Sequence, residues 1–188
     1  MIENNLYERL QYVDSSRENR QEIADWILNS PELFSSLLKN CFADTNSDTS
    51  RKAFWSLEFV CKKKLEWLIP HLDYFFNHLH LVKNDSSIRS LSKICELLCT
   101  EYYHKNNPVF IQNITSKHLD KLTETAFDWL IGNHKVAVKA HSMQCLYYLG
   151  TENVWIHKEL TPILHAGFNQ HSAGYKARAR HILKSIRE

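Results

Sequence analysis

An all-α fold is predicted by three observations. The 188-residue chain is 44% hydrophobic and 12% aromatic, enough apolar content to fill a well-buried domain. It holds four glycines and four prolines, too little turn chemistry for a sheet of many strands. Finally, apolar residues recur at three- and four-residue steps along nearly every segment, the period of an amphipathic helix.

Turn-forming breaks near residues 13–16, 28–30, 44–48, 83–86, 105–109, 132–134, 150–153 and 169–173 divide the chain into about ten helices. Ser30 before Pro31 places proline at a first helical position. Asp48 opens a helix whose apolar stripe is Ala53, Phe54, Leu57, Val60 and Cys61, and Asp85 opens one built on Ile88, Leu91, Ile94, Cys95 and Leu98; both aspartates are predicted N-caps. Residues 103–115, with Asn106, Asn107 and Pro108, form an insertion or linker. Two of the isolated glycines Gly132, Gly150, Gly167 and Gly174 read as helix C-caps. In the closing segment 171–188, Tyr175, Ala179, Ile182, Leu183 and Ile186 share one face, which predicts a packing helix and not a free arm.

The helices repeat. "HKVAVKAHSMQCLYYL" from 134 and "HSAGYKARARHILKSI" from 171 align at a shift of 37, matching His134 with His171 and Lys139-Ala140 with Lys176-Ala177. "DTSRKAFWSLEFV" from 48 and "DSSIRSLSKICELL" from 85 form a second pair, 38 residues apart at Arg51 and Arg89. A two-helix period of 37 to 40 residues, with an early basic residue in the second helix and an interior proline in the first helices "WLIPHL" and "ELTPIL", resembles HEAT-type repeats. The resemblance covers roughly residues 30–188 and implies an α-solenoid of antiparallel helix pairs, a HEAT/ARM-like superhelix. The expected organisation is one domain: acidic helices over 1–29, two units over 30–105, a linker at 106–115 and two units over 116–188.

The whole chain also looks like a group of short helical-repeat proteins that carry the label adenylosuccinate lyase. The lyase superfamily's catalytic loop, Ser-Ser-x-Met-Pro, is absent here. Neither methionine, Met1 nor Met143, precedes a proline, so no catalytic residue is carried over.

Other chemistry is excluded residue by residue. No two of the eleven histidines are spaced i,i+3 or i,i+4, so no metal site is expected. Cys41, Cys61, Cys95, Cys99 and Cys145 lie on apolar stripes and read as buried thiols without disulfides. A glycine-rich phosphate loop is missing, and no cofactor is expected. Trp26, Trp55, Trp67, Trp129 and Trp155 prompt comparison with helical-repeat DNA glycosylases, yet Asp128-Trp129 and the run Arg51, Lys52, Trp55 match no glycosylase motif, and core packing is the expectation. No apolar run approaches the roughly 18 residues of a membrane span, and Glu3, Glu8 and Asp14 break any signal-peptide pattern; a cytoplasmic protein is expected.

What remains is charge. The formal net charge is +2, but residues 1–50 hold four Lys/Arg against nine Asp/Glu and residues 134–188 hold eight against three. Lys176, Arg180, Lys184 and Arg187 follow helical spacing in one stripe, with Arg178 on the other flank; Arg89 and Lys139, early in their helices, join the candidate partner-binding residues. The leading expectation is a non-enzymatic interaction module whose basic C-terminal face docks a protein, with the acidic N-terminal region of another copy as one such partner. The alternative is a nucleic-acid binder or repair-type protein using the same face. Third comes a metabolic enzyme or accessory protein whose pocket the sequence does not reveal.

Overall fold

Residues with 3.6-residue apolar periodicity can bury that face only against another helix or a sheet, and here the partner is always another helix. The computed structural model describes residues 2–168 and 170–187, with side chains from Asn5 onward. Eleven α-helices and no strand occur among these described residues: α1 (Ile2–Tyr12), α2 (Arg17–Leu28), α3 (Leu33–Ala43), α4 (Asp48–Cys61), α5 (Leu72–His78), α6 (Asp85–Cys99), α7 (Pro108–Asn113), α8 (Ser116–Ile131), α9 (Val136–Leu149), α10 (Val154–Phe168) and α11 (Ala173–Arg187). None of them is long and apolar enough to cross a membrane.

One compact unit runs to Ile94 and a second starts at Cys95. In the first, α4 is central: α1, α2 and α3 all pack on it. Nine of its fourteen residues are buried, Trp55, Glu58 and Ser50 among them. Phe42 of α3 forms the aromatic hinge of this unit, with edge-on rings from Phe54 at 5.2 Å and from Tyr74 at 5.6 Å. In the second unit the central element is α9, flanked by α8, α10 and α11. Helices α4 and α6 begin 37 residues apart, as do α9 and α11, so the sequence repeat is a repeat of second helices.

The caps sit one residue earlier than expected. Ser47, not Asp48, is the N-cap of α4, its hydroxyl accepting the Ser50 amide at 3.1 Å. Before α6 it is Asn84 whose Oδ1 accepts the amides of Ser86 and Ser87. A cap needs extended backbone with a short acceptor side chain, and the aspartates that follow are already helical. Asp48 instead serves the first turn: hydrogen bonding from Lys52 chiefly, and the charge of Arg51, hold its carboxyl below the ordinary range.

Two stretches read more coarsely from sequence than they fold. Residues 65–81 are not one helix: Pro70 lies in a 3-10 turn, Leu65–His71, which passes into the short α5. The stretch 103–115 is ordered around α7, one of the eleven helices that match the expected number of about ten. Glu101 accepts hydrogen bonds from Lys105 at 2.6 Å and Asn107 at 2.9 Å, Asn106 takes the left-handed backbone with φ 50°, and the Asn107 side chain caps α7. At Gly150, the C-cap of α9, a Cβ would lie 2.0 Å from the His157 ring, whose Nε2 bonds the Tyr147 carbonyl at 2.8 Å.

The cap assignment is testable by urea denaturation. Ser47→Ala is expected to cost about 1 kcal/mol, and Asp48→Ala about half as much, because it loses exposed ion pairs and a dipole interaction but no cap.

Candidate functional site

Glutamate is rarely buried without partners, and two glutamates among the described residues are buried, Glu58 and Glu96. Glu58 of α4 is 2% exposed at its side chain. Its carboxylate accepts from Lys62 Nζ at 2.5 Å, Ser90 Oγ at 2.8 Å and Arg89 Nη1 at 3.1 Å. Burial by itself would raise this carboxyl, but those hydrogen bonds and the charges of Arg89 and Lys62 outweigh it and hold the group below the ordinary 4.5. In the second unit, Nδ1 of His141 lies 2.5 Å from Oε2 of Glu96, and Nη1 of Arg178 lies 3.8 Å from Oε1. Arg178 also donates to Gln144 Oε1 at 2.7 Å.

Lys139 is buried, 5% exposed, and its ammonium donates to the carbonyls of Leu130 and Gly132 at 2.5 and 2.7 Å. It thereby caps the C-terminus of the preceding helix, α8, and burial lowers its pKa. This places Lys139 inside the structure, its ammonium engaged by backbone carbonyls. Arg89 is turned to Glu58 and Arg178 to Gln144 and Glu96, and Lys176 is half-buried. The remaining three candidates stay together. Arg180, Lys184 and Arg187 line a groove of about 540 Å³ with His165, Phe168 and Leu183, and the Arg180 guanidinium sits 5.2 Å from the Phe168 ring centre.

The repeat register, the all-helical packing and these second-helix polar contacts can be set beside known proteins. A family model for the HEAT repeat domain matches residues 6–186. The chain belongs to the HEAT repeat family. No curated protein and no solved structure matches it.

In this HEAT-repeat protein the other residue types of interest are structural. All five cysteines are free and buried, and burial raises the thiols of Cys41, Cys61 and Cys95, which keeps them protonated. Histidines hold backbone: His78 bonds the Tyr74 carbonyl and His118 completes a capping box with Thr115. Among the described residues no three of His, Cys, Asp and Glu gather where a metal ion would fit. Trp129 is buried beside exposed Asp128, and Trp55 is buried with its Nε1 donating to Ser86 at 2.8 Å. Trp26 and Trp67 are half-buried, and Trp155 departs furthest from core packing, 53% exposed and stacked on Phe127.

Glu58 and Glu96 escaped the sequence reading, although a signal was present. Each interrupts an apolar run, "SLEFV" and "ICELL", and they stand 38 residues apart, the shift that brings Arg51 onto Arg89.

Because the folded Glu58 carboxyl titrates below its unfolded value, its stabilisation is full above the unfolded glutamate range and is lost as pH falls through the folded value. Glu58→Gln should be less stable than the native protein at pH 7 by about 2 kcal/mol, and the gap should narrow on acidification below pH about 4.5. Urea melts across that pH range measure it.

Proposed function

We propose that this protein is an interaction module whose groove between α10 and α11 docks an acidic, amphipathic segment of a partner protein. The supporting observation is the groove's lining: among the described residues it gathers three cations and a histidine around the apolar floor of Phe168 and Leu183. Helix α11 buries Tyr175, Ala179, Ile182 and Leu183 beneath it, so the cations are presented from a packed element and lose little conformational freedom on binding. Arg180 is further steadied by the Phe168 ring. An apolar side chain on the floor with carboxylates at the rim satisfies both chemistries, and the charge excess steers encounter.

The test is fluorescence anisotropy with a labelled helical peptide carrying glutamates around leucine and phenylalanine, against the same peptide with lysines. The acidic peptide should bind, and the triple variant Arg180→Glu, Lys184→Glu, Arg187→Glu should lose at least about tenfold in affinity at unchanged helicity and Tm. Equal binding by the variant would remove the groove from consideration. A concentration-dependent dimer of the native protein that the same variant abolishes would identify the acidic N-terminal region of a second copy as the segment docked.

A further inference from the structure

The first unit contains a second cationic cavity, apart from the α10–α11 groove. It measures about 530 Å³ and is lined by Arg17, Arg20, Gln21, Glu58, Phe59, Lys62, Lys63 and Arg89. Among the described residues, five cations and one carboxylate give its wall a formal charge of +4. Crowding like charges around one concavity is unfavourable, and the field they focus there favours an anion.

The carboxylate in the wall does not cancel this field for a ligand. Both Glu58 oxygens are engaged, Oε1 by Lys62 at 2.5 Å and Oε2 by Arg89 at 3.1 Å and Ser90 at 2.8 Å. That arrangement fixes Lys62 and Arg89 in place along the wall. Arg20 is equally preset: its Nε donates to the Ser16 carbonyl at 3.0 Å and its Nη2 to the Ser15 carbonyl at 2.6 Å, while the guanidinium lies 5.3 Å from the Trp55 ring and 5.7 Å from Phe59. Lys62 approaches the Phe59 ring as well, at 4.9 Å. Arg17, at the start of α2, and Lys63, just beyond α4, are exposed at the rim. The wall thus combines oriented cations, two more cations able to close on a ligand, and one half-buried aromatic ring.

We propose that this cavity is a binding site for a soluble small molecule that bears two or more phosphate charges. Three guanidinium groups among the five cations suit the several acceptor oxygens of a phosphate, which guanidinium binds through paired N–H donors. A single carboxylate would leave most of the wall charge unmatched. The volume lies in the range of small-molecule pockets and leaves room for an organic body against Phe59.

Isothermal titration calorimetry of the full chain with pyrophosphate tests the site. Saturable binding that weakens with salt is expected. Arg17→Glu with Lys63→Glu takes the wall from +4 to 0 without touching the Glu58 contacts; it should lower the affinity by at least about tenfold at unchanged Tm. Arg180→Glu with Lys184→Glu, the same charge change in the other groove, should leave pyrophosphate binding as it is. Absence of saturable binding, or equal loss in both double variants, would overturn the assignment. So would co-sedimentation with phosphatidic acid vesicles without a pyrophosphate response, since the anion would then be a lipid headgroup.

Discussion

The structure depends on a constraint imposed by its second helices: a helix buried on nearly every side must satisfy its polar side chains from the helices around it. Helix α4 buries nine of fourteen residues and α9 buries eight of fourteen. Their apolar positions run almost all round, so the polar ones among them have no solvent to turn to. Ser50 reaches the Cys41 carbonyl at 2.5 Å, Ser142 its own helix at Val138, Glu58 the Arg89 and Ser90 of α6, and Lys139 the end of α8. The contacts of Ser50, Glu58 and Lys139 also set the position of one helix against another, which apolar packing alone specifies less sharply.

That constraint sorts the cations into two groups. Arg89, Lys139 and Arg178 are committed to carboxylate, carbonyl or amide oxygens within the fold. Arg180 and Arg187 on α11, and Arg17 and Lys63 near α2 and α4, are exposed around concave surfaces. In this HEAT-repeat protein some cations are bonded within the fold and others are exposed, and residue type does not distinguish them. The C-terminal groove mixes its charge with an apolar floor, which suits a peptide. The cavity beside Glu58 is more heavily charged and has one aromatic ring, which suits a compact anion.

Sequence by itself determined the class and the repeat of this protein. Helical periodicity is local, so the α4 and α6 stripes, the packing face of α11 and the 37-residue register are visible in one chain read without neighbours. Cap positions shifted by one residue, because Ser47-Asp48 and Asn84-Asp85 each offer two acceptors and backbone geometry chooses between them. Tertiary structure decided which charges matter. Glu58 lies some thirty residues from Arg89 and Ser90, as Gln144 does from Arg178, and Lys139 meets a helix end that the sequence does not mark as its partner. Desolvation and pairing are properties of what surrounds a side chain in space, and only the packed helices supply those surroundings.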